Sequence, residues 1–280
     1  MTLQALRKTL RTLLQSKNIE SPETDSGLIL MHVLQIDKNE LLLGNPQISK
    51  EHQQKIMDLT YRRLKGEPVR YLTGSCPFMD LVFDVNPSVL IPRPETELLV
   101  ETVSKQLYQY PENTLLWDIG CGSGCIGISL AHKHPSLQVA ELDISSKALD
   151  TAKATACRYH LENRMQFVCH DILTGWPALP VPAVMVSNPP YIPSAVIPSL
   201  QKEVRQFEPL AALDGGLDGL LFYRKIIKDA PLSSGGFLAF EIGYDQGETV
   251  PELMKACGYT DVTLFHDLSG LPRVVTGYHA

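Results

Sequence analysis

A stripe of leucines at helical spacing opens the chain, formed by Leu3, Leu6, Leu10, Leu13 and Leu14. Apolar residues at this spacing indicate an amphipathic helix. Three more helices are predicted at about residues 23–34, 39–43 and 50–65, the last of them after the candidate N-cap Ser49. We therefore predict a small all-helical bundle over residues 1–74.

The first helix has a second interpretation. Four basic residues precede the first acid, namely Arg7, Lys8, Arg11 and Lys17, and an amphipathic basic segment is also typical of an organelle transit peptide. We favour a structural helix, because a second patterned segment follows after only a short break at Ser21-Pro22. A Ser cap with proline at the first helical position is a common helix start.

The residue composition changes at residues 78–89, which are rich in aromatic and β-branched residues. With Asn86-Pro87 as a turn signal, this segment is predicted to be a β-hairpin within a linker at residues 75–95. The proline-rich segment 90–97 then enters a helix that runs to about Tyr108. We predict a second domain over residues 96–280.

Strand and helix patterns alternate in this second domain. Strands are predicted up to Asp118 and at 138–142 and 165–169, with helices to about His132 and over 146–159. This order predicts an α/β fold with a mostly parallel, doubly wound sheet. Further on, a strand is predicted at 237–242, a helix at 247–257, and two strands near 262–265 and 273–278, which could pair in an antiparallel way at the sheet's edge.

Composition narrows the possible functions. A formal net charge of −6 argues against a protein whose main task is to grip the phosphates of duplex DNA. The six cysteines contain no CxxC pair, so we predict neither a zinc site nor a disulfide framework, and reduced thiols suit the cytoplasm. No run of about 18 uninterrupted apolar residues exists, so a membrane span is not predicted.

The loop after the strand at Asp118 is rich in glycine, and two patterns fit it. Gly122, Gly124 and Gly127 match the dinucleotide fingerprint GxGxxG, with Asp143 about 20 residues on, at the ribose position. Gly120, Gly122 and Gly124 instead match GxGxG, a loop that lets a nucleoside with an amino-acid tail approach the backbone. Asp118 favours the second pattern, because its charge suits an ammonium group and repels a pyrophosphate.

Asn188-Pro189-Pro190-Tyr191 follows the apolar run 181–186. A strand that stops at Asn-Pro-Pro presents an amide oxygen and backbone carbonyls at its carboxyl end, where open α/β sheets place their ligands. Proline fixes φ and removes an N–H donor. The tetrapeptide therefore predicts a socket of acceptors for a planar NH₂ group.

Together these residues resemble a known family. Asp-x-Gly-x-Gly-x-Gly, Asp143, Asp171 and Asn-Pro-Pro-Tyr look like a class I S-adenosylmethionine-dependent methyltransferase. Further segments are similar to the HemK/PrmC-type glutamine methyltransferases of peptide-chain release factors: Gly66-Glu67-Pro68, Leu72-Thr73-Gly74, residues 91–97, Phe207-Glu208-Pro209 and residues 240–243. The resemblance covers nearly the whole chain.

The resemblance implies a set of cofactor-binding residues. Gly120, Cys121, Gly122, Ser123 and Gly124 would line the methionine and ribose of S-adenosylmethionine, beside Asn188. Asp143 would accept the ribose hydroxyls, and Asp171 with Ile172 would hold the adenine. Capping of a helix or turn is an alternative for both acids. Glu141 departs from the family pattern, and we expect it either to reach solvent or to compete with Asp143 for the ribose.

The socket predicts how the substrate is held. The oxygen of Asn188 and the carbonyl of Pro189 would accept the two N–H groups, Pro190 would stiffen the loop, and Tyr191 would pack on the amide plane. A delocalised amide nitrogen is a poor nucleophile, so positioning is what the protein must supply. We assign Asn188, Pro189 and Tyr191 to catalysis and residues 188–191 to substrate binding.

Three functions fit these features. The favoured one is methylation of the glutamine in the Gly-Gly-Gln loop of release factors by a cytoplasmic monomer, whose helical domain docks the factor and which binds no nucleic acid directly. A nucleic-acid amino methyltransferase shares the socket, because adenine N6 is also a conjugated NH₂ group. A dehydrogenase or a non-catalytic nucleoside-binding protein would explain only the glycine loop.

Overall fold

The computed structural model describes all 280 residues, which form two compact units. One comprises residues 1–75 and 202–207, and the other residues 76–201 and 208–280. The helices are α1 (Leu3–Gln15), α2 (Pro22–Leu34), α3 (Lys38–Leu43), α4 (Lys50–Leu64), α5 (Val69–Thr73), α6 (Glu97–Leu107), α7 (Cys125–Lys133), α8 (Ser146–Arg158), α9 (Lys202–Phe207), α10 (Leu221–Asp229) and α11 (Thr249–Ala256). The strands are β1 (Ser75–Phe78), β2 (Leu81–Asp84), β3 (Leu115–Ile119), β4 (Gln138–Asp143), β5 (Met165–Cys169), β6 (Val184–Ser187), β7 (Phe237–Glu241), β8 (Thr260–His266) and β9 (Pro272–Tyr278).

The first unit is helical and contains α1–α5 and α9. Three leucines of the stripe in α1, Leu3, Leu6 and Leu10, are buried in one cluster with Ile29 and Leu30 of α2 and Ile56 of α4, so α1 is a packed structural helix. Ser49 caps α4, because its hydroxyl accepts from the His52 N–H at 3.1 Å. The short helix α5 was not predicted; it ends at Gly74, which takes the left-handed conformation.

A buried ion pair joins the helices of this unit. The Arg63 guanidinium contacts the Asp25 carboxylate at 2.6 Å, and both side chains are buried. Arg63 also contacts Glu203 of α9 at 2.7 Å, which explains why residues 202–207 belong to this unit although they lie far along the chain. A paired and hydrogen-bonded ion can be tolerated in such a place, whereas an isolated one cannot.

The hairpin β1–β2 lies in the second unit, and the predicted position of its turn was wrong. The turn is at Met79-Asp80, where Met79 has φ 49°. The Met79 N–H donates to Glu97 Oε1 at 2.8 Å, so a distant side chain stabilises a turn that carries no local Gly or Asn signal. Asn86 follows the hairpin and donates to Thr151 of α8 at 2.9 Å.

The main sheet has seven strands in the order β5-β4-β3-β6-β7-β9-β8. The first five are parallel, while β9 is antiparallel to both β7 and β8. The predicted α/β class, the mostly parallel sheet and the antiparallel C-terminal pair are confirmed. Helix α10 was not predicted, since it is short and starts without a side-chain cap.

Both faces of the sheet are covered. In β6, Val184 and Val186 join the cluster that includes residues of α6, α7 and α8, while Met185 joins the cluster with residues of α10 and α11. This alternation follows from the pleat of a strand. Only the strand ends remain open for a ligand. None of the helices combines the length and the apolar character needed to cross a bilayer.

Candidate active site

A cavity of about 1130 Å³ lies where the loops after β3, β4, β5 and β6 meet. Its lining includes most of the residues singled out in the sequence: Gly120, Cys121, Gly122, Ser123, Asp143, Asp171, Ile172, Asn188, Pro189 and Pro190. Gly124 and Tyr191 are not part of the lining. A cavity at the carboxyl ends of parallel strands is the usual ligand site of this architecture.

The glycine loop divides into a ligand-facing part and a packing part. Gly120, Gly122 and Gly124 all have positive φ, which favours glycine. A Cβ at Gly120 or Gly122 would meet no atom within 4 Å, so the backbone here is open to a ligand. A Cβ at Gly124 would lie 2.7 Å from Ile128 Cδ1, and this glycine therefore serves close packing of the loop on α7.

Asp143 holds the loop in place from the neighbouring strand. Its Oδ2 accepts from the Gly122 N–H at 2.9 Å and its Oδ1 from the Ser145 N–H at 2.8 Å. Ser145, rather than Asp143, caps α8, because its hydroxyl accepts from Ala148 N at 3.2 Å. Burial raises the pKa of Asp143, and the two backbone donors oppose that rise. A carboxylate oxygen has a second lone pair, so Asp143 can still accept from a ligand.

Asp171 forms the turn that follows β5 and lines the cavity. Its Oδ1 accepts from the Leu173 N–H at 2.9 Å and caps a short 3₁₀ turn, which bears out the turn-forming alternative for this residue. Ile172 is buried in the apolar cluster beneath the same turn. The turn thus offers the cavity an apolar surface beside a carboxylate, as a flat, amine-bearing ring requires.

Asp118 and Glu141 form a buried acid pair beneath the loop. They are partners in the register of β3 and β4, and both are fully buried. Asp118 Oδ2 accepts from the Gly127 N–H at 3.0 Å, but Asp118 Oδ1 and both Glu141 oxygens receive no donor from any other group.

Burial therefore disfavours a negative charge on both carboxyl groups. Burial raises the pKa of Asp118 to about 7, and burial together with the charge of Asp118 raises the pKa of Glu141. Both expectations for Glu141 were wrong: it neither reaches solvent nor lines the cavity. It lies on the sheet face that α7 covers, against Gly127.

The Asn-Pro-Pro-Tyr loop is braced by the segment 213–219. Ile192 N donates to Leu213 O at 3.0 Å, and Gly215 N donates to Ile192 O at 2.9 Å. A Cβ at Gly215 would lie 2.7 Å from the Pro190 carbonyl oxygen, and one at Gly219 would lie 2.3 Å from Tyr191 O. Glycine is required at both positions, because the two backbones approach too closely for a side chain.

Tyr191 is directed toward the interior. It packs against the apolar cluster that contains Trp117 and Tyr223. Burial raises its pKa to about 12. The structure thus brings Asn188, Pro189 and Pro190 to the cavity and leaves the Tyr191 ring outside its lining.

Several lining residues were not assigned a role from the sequence, among them Thr96, His170 and Phe222. Thr96 is the most informative, since its hydroxyl accepts from Asn188 Nδ2 at 3.3 Å. It lies in the segment 91–97 that carries the family resemblance, and this was the available signal. Arg93 of the same segment contacts both oxygens of the buried Glu208, at 2.6 and 2.8 Å.

The residues present fit S-adenosylmethionine. The open backbone at Gly120 and Gly122 leaves room for its aminoacyl part. Asp143 on the cavity wall favours a ligand with positive charge, and the surface at Ile172 suits an adenine ring. The expectation that Asp118 meets an ammonium group of the ligand was wrong, because Asp118 is fully buried beneath the loop and absent from the cavity lining. Fold and site together define a class I S-adenosylmethionine-dependent methyltransferase.

Comparison with known proteins identifies the family. The chain matches the model of the PrmC N-terminal domain over residues 4–74 and that of the methyltransferase small domain over residues 94–201. A release factor glutamine methyltransferase of Thermodesulfovibrio yellowstonii is 38% identical over 251 residues, 88% of this chain and 89% of the relative. One of Clostridium botulinum is 37% identical over 269 residues, 94% of each chain. The chain belongs to the release factor glutamine methyltransferase family.

A solved structure with the same fold is the hMettl16 catalytic domain in complex with MAT2A 3′UTR hairpin 6, with a TM-score of 0.54 and 15% identity, covering 79% of this chain and 81% of that one. At this identity the likeness concerns the fold alone. The dehydrogenase interpretation of the glycine loop is excluded by the family.

The contact between Gly127 and Glu141 generates a stability prediction. A Cβ at Gly127 would lie 2.2 Å from Glu141 Oε1 and 3.0 Å from Val139 Cγ1, and Glu141 is fully buried. We expect Gly127→Ala to lower the free energy of unfolding by about 1–3 kcal/mol, the usual cost of overpacking. Urea denaturation measures this free energy of unfolding. The double variant Gly127→Ala/Glu141→Ala should recover part of the lost stability, because the side chain that the new Cβ meets is removed. Equal stability of Gly127→Ala and wild type would contradict the packing described.

Proposed function

We propose that this protein transfers a methyl group from S-adenosylmethionine to the side-chain amide nitrogen (N5) of the glutamine in the Gly-Gly-Gln motif of peptide-chain release factors. The observation that supports the proposal is that Asn188 and Pro189 line the cavity, in a chain whose relatives are release factor glutamine methyltransferases. An NH₂ group is a double donor, and this socket offers acceptors.

The socket's chemistry favours a planar amide. Asn188 Nδ2 donates to Thr96, so Asn188 Oδ1 is available to the substrate, and Pro189 contributes a carbonyl with no competing N–H of its own. Two acceptors hold both N–H bonds of the glutamine and present the face of its nitrogen to the cofactor. As positive charge develops on that nitrogen, both acceptors stabilise it more strongly.

The cofactor supplies an electrophilic methyl group. The protein's residues hold the glutamine nitrogen in line with it and exclude water. As the C–N bond forms, the S–CH₃ bond would break and S-adenosylhomocysteine would leave as a neutral thioether. The methylated nitrogen would lose its extra proton to water afterwards, so no general base is needed before transfer. Orientation alone can account for a large rate enhancement. In this proposal Tyr191 holds the Asn188–Pro190 loop in place, since its ring packs against the core cluster and does not line the cavity.

The proposed cofactor contacts follow from the lining. Gly120, Cys121, Gly122 and Ser123 bind the aminoacyl and ribose parts through the backbone, Asp143 accepts from the ribose hydroxyls, and Asp171 with Ile172 holds the adenine. Gly124 contributes by shaping the loop, and Asn188 lies where cofactor and substrate meet.

The proposal extends to partner and place. We assign release factor docking to the helical domain over residues 1–74, which matches the PrmC N-terminal domain model. We also assign a monomeric state, in which the second unit alone supplies the cavity lining. It works in the cytoplasm, where release factors act, and the charge of −6 favours a protein substrate over direct binding of nucleic acid.

Incubation with methyl-labelled cofactor and a release factor tests the substrate assignment. We expect label on the wild-type factor and none on a factor whose Gly-Gly-Gln glutamine is replaced by glutamate, which lacks the NH₂ group. Label on both proteins, or on neither, would refute the assignment.

Asn188→Ala tests the socket. Loss of one preorganised hydrogen bond in the transition state should lower kcat by roughly 10² to 10³, while the Kd for S-adenosylmethionine changes little. Single-turnover kinetics and calorimetry give the two quantities, with the exposed Asn163→Ala as the control. Unchanged turnover in Asn188→Ala would contradict the mechanism.

Asp143→Ala tests the ribose contact. The loss of a hydrogen bond to a charged group should weaken binding of S-adenosylmethionine by about 1.5–3 kcal/mol, measured by calorimetry. Because Asp143 also holds Gly122, the melting temperature of the unliganded variant is compared with wild type. An unaltered dissociation constant would rule out the assigned role.

A further inference from the structure

We propose that Thr96 and Glu241 are positioning residues that fix the orientation of the Asn188 side-chain amide, with its nitrogen toward the protein and its oxygen toward the cavity. This inference rests on the proposed function. It explains why the oxygen of the Asn188 amide, rather than its NH₂ group, faces the substrate. An amide group has two ends of equal size and opposite hydrogen-bonding character, so a socket built from Asn must exclude the inverted orientation.

Strand register brings the three residues together. In the parallel pair β6–β7, Ser187 is the partner of Phe240, so the next residues, Asn188 just beyond β6 and Glu241 at the end of β7, lie side by side. Thr96 comes from the start of α6 and is buried. Its hydroxyl accepts from Asn188 Nδ2 at 3.3 Å, which leaves the Thr96 O–H free to donate.

Glu241 is the acceptor at the end of this arrangement. It is 1% exposed, its carboxylate faces Thr96 and Asn188, and it is absent from the cavity lining. Glu241 therefore acts on the substrate only through its neighbours. Its Oε2 is buried without a hydrogen-bond partner, so the carboxylate has acceptor capacity for these two donors.

The arrangement penalises inversion of Asn188. With Nδ2 inward, the amide donates to the Thr96 hydroxyl and presents its NH₂ group to the Glu241 carboxylate. With the amide inverted, Oδ1 would face an acceptor carboxylate in a buried place, and the NH₂ group would face the donor substrate. An acceptor would then face an acceptor at Glu241, and a donor would face a donor at the substrate. Buried polar groups that are left unpaired in this way are costly.

The anchoring of Thr96 supports this role. Its N–H donates to Arg93 O at 3.1 Å, and Arg93 is itself bound by both oxygens of the buried Glu208. The segment 91–97 is thus held at a fixed point, and the Thr96 hydroxyl has a fixed position relative to Asn188.

The charge state of Glu241 matters for this function. Burial raises the pKa of Glu241 to about 7, against the opposing hydrogen bond from Thr96 and the charge of Arg273. The ionised form is the stronger acceptor, so orientation should be firm above pH 7 and weaken as pH falls below it. Other titratable or charged groups that interact with Glu241 are Glu95, Tyr191, Tyr223 and Cys125.

Glu241→Gln is the sharpest variant, because a glutamine of the same shape can donate as well as accept and so permits the inverted amide. We expect kcat to fall about 10-fold to 100-fold, the scale of misplacing a reacting group by about 1 Å. The Kd for S-adenosylmethionine should stay within about two-fold of wild type, as expected for a residue that only orients Asn188. Glu101→Gln, which removes an exposed carboxylate from α6, is the control and should match wild type.

Thr96 supplies an independent pair of variants. Thr96→Val removes the hydroxyl at constant shape and should lower kcat, whereas Thr96→Ser keeps the hydroxyl and should retain most of the wild-type kcat.

The pH dependence gives a further test. In wild type, kcat/KM should increase as the pH rises through 7, and this increase should be absent in Glu241→Gln. Equal kcat in Glu241→Gln and wild type, or equal kcat in the Ser and Val variants, would overturn the proposal.

A readout without turnover separates this inference from the proposed function. In ¹⁵N-edited NMR spectra of the cofactor-free protein, the Asn188 side-chain NH₂ signal, assigned with Asn188→Ala, should exchange slowly with water and shift as Glu241 titrates near pH 7. Both effects should be lost in Glu241→Gln. A wild type that labels no release factor yet shows these signals defeats the proposed function alone; a wild-type signal that neither titrates nor resists exchange defeats the positioning role.

Discussion

The parallel pairing of β3 with β4 on one side and with β6 on the other is the interaction on which the site depends. Because parallel strands end at the same edge, the glycine loop, Asp143 and Asn188 emerge together although they lie far apart in the chain. The pairing also fixes their order. Asp143 reaches across to hold Gly122, so the strand that supplies the proposed ribose acceptor also shapes the loop beside it.

Local patterns were enough to predict much of this. The leucine stripe, the alternation of strands and helices, the glycine loop and the Asn-Pro-Pro-Tyr socket are all encoded in short segments, and the fold class follows from their order. The hairpin turn at Met79 was misplaced because Glu97, 18 positions away, stabilises it. Glu141 was misjudged because its surroundings depend on α7 covering that face of the sheet, which no local pattern reveals.

The polar contacts within the site lay beyond sequence reasoning for the same reason. Thr96 and Asn188 are 92 positions apart, and Glu241 lies on yet another strand. Each belongs to a segment that marks the family, but only the fold shows that the three segments meet at one hydrogen-bonded group. The family's motifs can therefore be understood as parts of one proposed site. Asn188 binds the substrate, Thr96 and Glu241 orient Asn188, and the Arg93–Glu208 ion pair anchors the segment that carries Thr96.

The central claim is that two fixed acceptors hold the substrate's amide nitrogen. It is tested most directly by a crystal structure of the protein with S-adenosylhomocysteine and a Gly-Gly-Gln peptide. The account predicts the glutamine nitrogen at about 3 Å from both Asn188 Oδ1 and the Pro189 carbonyl oxygen, the normal length of an N–H···O bond. A glutamine bound elsewhere in the cavity, or one whose side-chain oxygen occupies that place, would contradict it.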